Sequence, residues 1–294
     1  MPFFSIVVPC YNRAAILPRT VAAILRQQEP DFELILVNDG SRDATAEVAE
    51  QLATTDARIR VFHKENEERG AARNYGTQQA EGRYINFFDS DDEMYPNHLQ
   101  VVRDYIRTHD EVEVVHTGYE ILDANGRMIE EVCDFRQDTN EALLENNFLA
   151  CNSVFVRCDV ALAHPFVEDR VLASAEDWEL WLRLASCYPF HKVSAKTYCL
   201  REHEGRSLNT ISPDAVIARD ELFGQLMRQN PDFRRHYPDK VSYFVANRYT
   251  FITLVLALTA HRRLDTLRYL WKAFRSDYTV LWRRRFLASI KHLF

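Results

Sequence analysis

Apolar residues in the first hundred positions gather in short unbroken runs, and the stretches between them repeat at helical spacing. Phe4-Ser5-Ile6-Val7-Val8-Pro9 hardly alternates, which predicts a strand covered on both faces. A helix is predicted over 14–28, with Pro18 near its first turn and Val21, Ile24 and Leu25 on one face. The alternation continues with a strand over 32–37, a helix over 43–52, a strand over 58–63, a helix over 69–81 and a strand over 83–88. Such a pattern implies a mostly parallel sheet with helices on both faces, and sheets of this kind bind ligands beyond the carboxyl ends of their strands. Polar residues cluster at those ends: Tyr11-Asn12 after the first strand, Asn38-Asp39-Gly40-Ser41 after the second, and Asp89-Ser90-Asp91-Asp92 after the fourth.

Past Pro96 the pattern loosens. A helix to about residue 109 precedes a β segment over 112–122, and Asp123-Ala124-Asn125-Gly126 is turn chemistry leading into a strand over 127–132. Strands are expected over 151–156 and up to Leu200, with an amphipathic helix over 176–187 between them, and everything from Pro213 onward reads as helical. The expected organisation is one part over 1–110, a second over 111–212, and a helical region over 213–294.

Charge adds an asymmetry. The 294 residues carry a net −7, yet residues 261–294 hold nine Lys or Arg against two Asp or Glu, so the first 260 residues carry −14. A basic end on an acidic body suits an anionic surface at that end, or a solvated helical face; no nucleic-acid partner is expected. Trp282, Phe286, Ile290 and Phe294 recur every four residues among Arg283, Arg284, Arg285 and Lys291, a pattern that can lie on a bilayer or dock on protein. The six cysteines have no metal-type spacing and suit a reducing cytoplasm. No leader opens the chain, and the longest apolar run, 251–260, is too short to span a membrane. A cytoplasmic protein, held at most at the inner face of the cell membrane, is the expectation.

No P-loop, dinucleotide fingerprint or nucleophile elbow is present, which leaves the acid-rich strand end as the chemistry. Three carboxylates within four residues repel one another unless a cation neutralises them, and hard divalent cations share oxygen ligands with phosphates. The segments Ser5-Ile6-Val7-Val8-Pro9-Cys10-Tyr11-Asn12, Val37-Asn38-Asp39-Gly40-Ser41, Gly70-Ala71-Ala72-Arg73-Asn74, Phe88-Asp89-Ser90-Asp91-Asp92, Glu176-Asp177-Trp178 and Arg201-Glu202-His203 together resemble the family 2 glycosyltransferases of the GT-A fold. The resemblance spans residues 3–207 and implies a Rossmann-like, mostly parallel α/β sheet flanked by helices, with a nucleotide-sugar-binding half over 1–110, an acceptor-binding and catalytic half over 111–212, and a C-terminal helical extension.

It also implies roles. Pro9, Tyr11 and Asn12 would line the base pocket, Asp39 would bond the base or ribose, and Arg73 would lie near the nucleotide. Asp89 would contact ribose or donor sugar. Asp91 and His203 would ligate Mn²⁺ or Mg²⁺, Asp92 being a weaker candidate. Asp177 would be the catalytic base of an inverting transfer, with Glu176 orienting it or the acceptor and Trp178 offering a ring face to a sugar. Arg201 and Arg206 would meet phosphate. The implied donor is a nucleotide sugar, a UDP-sugar foremost, and the implied acceptor a saccharide or lipid-linked saccharide.

Some of these residues have local explanations too. Asn-Asp-Gly-Ser is turn chemistry, and Glu176 and Asp177 would stabilise any helix N-terminus. One departure concerns Asn66, which Glu67-Glu68-Arg69 follows where the family often carries Asn-x-Gly, leaving its role open. The alternatives are an inactive sugar-nucleotide-binding or assembly subunit, and a nucleotidyltransferase, which usually needs a glycine- and lysine-rich phosphate loop near the first strand.

Overall fold

The computed structural model describes residues 1–110, 112–133, 135, 137–202, 212–260 and 262–293. They form two compact units. The first comprises Met1–Ala142, Asn147–Glu168 and Tyr188–Glu204, and the second Leu143–Asn146, Asp169–Cys187 and Gly205–Phe294.

The first unit contains the sheet. Its strands are β1 (Phe4–Cys10), β2 (Phe32–Asp39), β3 (Ile59–Lys64), β4 (Tyr84–Phe87), β5 (Glu93–Met94), β6 (Val114–Leu122), β7 (Met128–Val132), β8 (Val154–Arg157) and β9 (Phe190–Arg201). They run in the order β3-β2-β1-β4-β8-β6-β9-β5, with β7 pairing β6. The four strands at the β3 end are all parallel, Ile6 lying against Leu34 on one side and Asn86 on the other. Beyond β4 the sheet is mixed: β8 is antiparallel to β4 and β6, β9 is parallel to β6, and β5 and β7 are antiparallel additions. The predicted parallel sheet is therefore its first half.

β1 and β2 lack alternation because both faces are covered; Ile6, Val7, Val8, Leu34, Ile35 and Leu36 are all fully buried. The covering helices are α1 (Leu17–Leu25), α2 (Thr45–Ala53), α3 (Glu68–Gln79) and α4 (His98–Thr108), with short α5 (Thr139–Ala142) and α6 (Cys158–Ala163) later. α1 starts later than its apolar pattern suggested because Pro18 occupies its first turn, where the missing N–H costs nothing. α3 packs close on the sheet through Gly76, where a Cβ would lie 2.4 Å from Val7 Cγ1 and 3.2 Å from Val37 Cγ2. The strand predicted over 151–156 begins only at Val154. Cys151–Ser153 forms a 3₁₀ turn, with Ser153 N–H donating to the Ala150 carbonyl at 3.0 Å.

The second unit is helical: α7 (Glu176–Ala185), α8 (Pro213–Gln229), α9 (Pro231–His236), α10 (Val241–Val255), α11 (Arg263–Ser276) and α12 (Arg284–Lys291). Ser212 and Asn230 cap α8 and α9, each with proline just inside the helix. Val241–Thr259 forms 19 residues that include an 18-residue window of mean hydropathy 1.4, long and apolar enough by composition to cross a membrane, which the ten-residue run in the sequence did not reveal. Within this unit 61% of that segment is buried. α10 carries Arg248, a buried cation whose Nη1 lies 3.3 Å from Asp220 Oδ1 while Arg219 bonds Oδ2 at 2.9 Å. Burial lowers the Arg248 pKa to about 10, and its guanidinium stacks over Trp178 at 4.1 Å.

These contacts set two stability outcomes. Gly76→Ala forces a methyl group into Val7 and should lower the unfolding free energy by about 1–3 kcal/mol in urea titration. Asp220→Ala strands buried Arg248 and Arg219 and should cost about 3–5 kcal/mol, whereas Asp220→Leu combined with Arg248→Met and Arg219→Met should cost clearly less.

Candidate active site

The carboxyl ends of β1, β2 and β4 form one edge of the first unit. Tyr11, just beyond Pro9, is exposed, and Asn12 has a left-handed backbone (φ 53), a conformation asparagine tolerates better than most residues. Asn12 ties two loops together: its amide donates to Ser41 Oγ at 3.0 Å, and its Oδ1 accepts from the Arg42 amide at 2.8 Å. Cys10 is buried beneath, and burial pushes its thiol up to about 12, so it serves as a packed thiol.

Asp39 is 3% exposed and closely held. Lys64 Nζ reaches its Oδ1 at 3.0 Å, the Glu67 amide donates to the same oxygen at 3.1 Å, and Asn66 Nδ2 donates to Oδ2 at 3.1 Å. Asn66 also donates to the Asp39 carbonyl at 2.9 Å, so this residue, of open role in the sequence, fixes the end of β2. Burial pulls the Lys64 ammonium down, but the Glu67 and Asp39 carboxylates more than offset that and leave its pKa raised. Gly40 (φ 65) lets the chain turn here; a Cβ would lie 2.7 Å from the Asn66 amide nitrogen.

The turn after β4 places its three acids against three different partners. Asp89 accepts from Arg73 Nη2 at 2.8 Å. Arg73 is 2% exposed on the middle of α3, with its guanidinium 5.4 Å from the Phe166 ring centre. It is thus a buried cation aimed at Asp89, not a fork open to phosphate. Asp91 Oδ2 lies 3.3 Å from Arg13 Nη2, and Arg19 Nη2 donates to the Asp91 carbonyl at 3.3 Å. Asp92 is buried and uses both oxygens: Oδ2 accepts from Asn152 Nδ2 at 2.7 Å, and Oδ1 from the Arg201 amide at 3.2 Å. Asn152 also accepts from the Asp89 amide through Oδ1 at 2.8 Å, and so clamps both ends of the acid turn.

For a divalent cation these acids differ. Asp92 is committed to structure, Asp89 pairs with Arg73 and Asp91 with Arg13; the side chains of Asp89 and Asp91 stay partly exposed, by 32% and 20%, as hard oxygen donors. Among the described residues no cluster of three His, Cys, Asp or Glu side chains could hold a metal alone. Carboxylate oxygens of this kind fit Mn²⁺ or Mg²⁺, both hard cations. His203 and Arg206 lie outside the described residues. Arg201 pairs with Glu93, Nη2 to Oε2 at 2.8 Å, and its side chain stays partly exposed.

Glu176 and Asp177 belong to the second unit, at the first turn of α7. Glu176 is buried, while Asp177 is partly exposed and accepts from the Trp178 amide at 2.7 Å through Oδ1. Ser174, two residues before α7, has φ 70, an uncommon backbone for serine of the kind that collects at functional sites. Trp178 corrects the sequence reading. It is 8% exposed, donates Nε1–H to the Leu143 carbonyl at 2.8 Å and has Arg248 over its ring, so it is a core side chain and not an open sugar platform.

Three residues escaped the sequence reading. Lys64 ends a third parallel strand at the same edge as Asp39, so its position was a usable signal. Arg13 directly follows Asn12 and could have been weighed as a partner for the acids. Asn152 carried no local signal, because its role depends on pairings far along the chain.

Residues 5–160 match the model of glycosyl transferase family 2. An uncharacterized glycosyltransferase of Rickettsia typhi is 31% identical over 218 residues, 71% of this chain and 67% of its own length. One from Rickettsia felis is 31% identical over 184 residues, 62% of this chain but only 30% of that relative. Among solved structures, Staphylococcus aureus TarS 1-349 in complex with UDP-GlcNAc superposes with a TM-score of 0.74 over 99% of this chain and 88% of its own, at 21% identity. The mannosyltransferase PcManGT of Pyrobaculum calidifontis, in complex with GDP-Man and Mn²⁺, gives 0.56 over 100% and 87% at 14% identity. At those identities the two structures speak for the fold: an α/β sheet flanked by helices, with further helices after it. Taken with the family match over more than half its length, these likenesses show that the chain belongs to glycosyl transferase family 2 and is a glycosyltransferase.

Proposed function

We propose that this glycosyltransferase takes its sugar from a nucleoside diphosphate donor, a UDP-sugar foremost, and passes it with inversion to a hydroxyl of a saccharide or lipid-linked saccharide. The observation that carries this reading is the strand edge itself. Buried Asp39, the Asp89–Arg73 pair and partly exposed Asp91 lie at the ends of β2 and β4, where open α/β sheets take their ligands. The solved relatives hold UDP-GlcNAc in one case and GDP-Man with Mn²⁺ in the other, which supports a nucleotide-sugar donor.

In this reading Pro9, Tyr11 and Asn12 border the base, and Asp39, held in one orientation by Lys64 and Asn66, accepts from base or ribose. Asp89, fixed by Arg73 and Asn152, meets ribose or sugar. Mn²⁺ or Mg²⁺ held by Asp91 and diphosphate oxygens, with His203 as a further ligand, would offset the charge on the departing diphosphate. The acceptor oxygen bonds to the anomeric carbon while the bond to the diphosphate oxygen breaks and that oxygen keeps the electron pair. Asp177 takes the acceptor proton, and Glu176 orients Asp177 or the acceptor. A single displacement opposite the leaving group inverts the anomeric centre.

Calorimetric titration with UDP, GDP and dTDP, with and without Mn²⁺, should show one nucleotide bound selectively. Asp39→Ala should weaken that binding about tenfold or more in either condition, whereas Asp91→Ala should remove only the gain from Mn²⁺. Absence of binding by any of the three nucleotides would sink the donor assignment. Asp177→Asn should leave the nucleotide Kd within about twofold while kcat for nucleoside diphosphate release to acceptor falls about 10²–10⁴-fold; unchanged turnover would place the base elsewhere.

A further inference from the structure

Within the second unit, the stripe read from sequence at the chain's end comes apart. Phe286 packs inward with Ser289 and Leu293, while Trp282 is 82% exposed. The larger apolar face lies instead on α11. Leu264, Leu267, Trp271 and Phe274 are all exposed, Leu264 by 83% and Trp271 by 59%. At about 100° per residue they fall within a sector about 80° wide, away from Thr266, Tyr269, Leu270 and Ala273, which pack inward. The Trp271 and Phe274 rings rest on one another at 5.6 Å, and exposed Tyr278 lies just past the helix.

Charge borders this face on both sides. By the same spacing, exposed Arg263 lies along one margin and exposed Arg268 and Arg275 along the other. The two acids of residues 261–294 are occupied locally: Asp265 accepts from Arg262 Nε at 2.8 Å, and Asp277 accepts from the Thr279 amide and hydroxyl. Lys272 points away from the face and bonds Glu221 at 2.6 Å. We propose that the α11 face rests on an anionic lipid surface, its leucines and Phe274 sunk among acyl chains, its Trp and Tyr at the headgroup level and its arginines on lipid phosphates. Tryptophan and tyrosine favour the membrane interface, and arginines beside an apolar stripe add attraction to anionic headgroups. Twofold pairing of this face with a second copy would set arginine against arginine, which disfavours that occupant. The inference goes beyond the transfer reaction and holds for any donor or acceptor.

Co-sedimentation of the full chain tests it, using vesicles of phosphatidylcholine alone and with about a quarter phosphatidylglycerol. The protein should pellet with the anionic vesicles only and be released at about 1 M NaCl. Trp271→Glu with Phe274→Glu, and separately Arg268→Glu with Arg275→Glu, should each weaken the partition about tenfold or more. Thermal unfolding at the wild-type midpoint will show these variants folded; if the first is not, Leu264→Ser with Leu267→Ser, at outward positions, replaces it. No pelleting with anionic vesicles, equal pelleting with neutral ones, or variants that bind like wild type would overturn the proposal. So would a dimer in sedimentation velocity that Trp271→Glu splits into monomers, since the face would then belong to a second copy.

Discussion

Three carboxylates within four residues would push the turn after β4 apart if nothing answered them, and the arrangement of the first unit depends on how they are held. The answering groups come from separate parts of the chain. Arg73 comes from α3, Arg13 from just before α1, Asn152 from the 3₁₀ turn before β8, and the amide of Arg201 from the end of β9. Thr20 of α1 adds its hydroxyl, donating to the Ser90 and Asp92 carbonyls at 2.9 and 3.2 Å. One short turn thereby joins the parallel half of the sheet to the mixed half. A group fixed from so many directions keeps its charges in place before any ligand arrives, so little reorganisation is needed at this edge when one binds.

The same logic holds at the end of β2. Asp39 is removed from water yet keeps a cation and two amide-type donors, so its burial is compensated. Asn66 supplies one of those donors from the segment where the sequence departs from the usual family pattern. The departure has therefore kept the polar partner and changed only the residues after it. Glu68, two residues on, has φ 77, a backbone that glycine would adopt without strain.

How far the sequence could be read depended on whether a feature was local. β1 to β4 were legible because a strand buried on both faces writes a continuous apolar run, and a helix between such strands writes a 3.6-residue period. β5 was invisible, since two residues carry no period. The turn at Cys151–Ser153 looked like strand because Cys151 and Val154 are apolar; there Asn152 bonds Asp89 and Asp92, which lie 63 and 60 residues away in sequence. Trp178 was misread for a related reason. Beside Glu176 and Asp177 it looked available to a sugar, but Arg248, far along the chain, covers its ring. Arg73 and Arg201 stood out as cations in the sequence, but their carboxylate partners were set by register that no local motif records.

Arg248 has a consequence beyond packing. Among the described residues, Val241–Thr259 is the stretch whose length and composition suit a bilayer interior, and Arg248 lies near its middle. A guanidinium there raises the cost of lateral insertion by about 2.5–3.5 kcal/mol on the scale set by insertion experiments. The folded unit escapes that cost, because Asp220 neutralises the charge and Trp178 covers it. One side chain therefore makes lipid a costlier setting for this segment than its own helical neighbours.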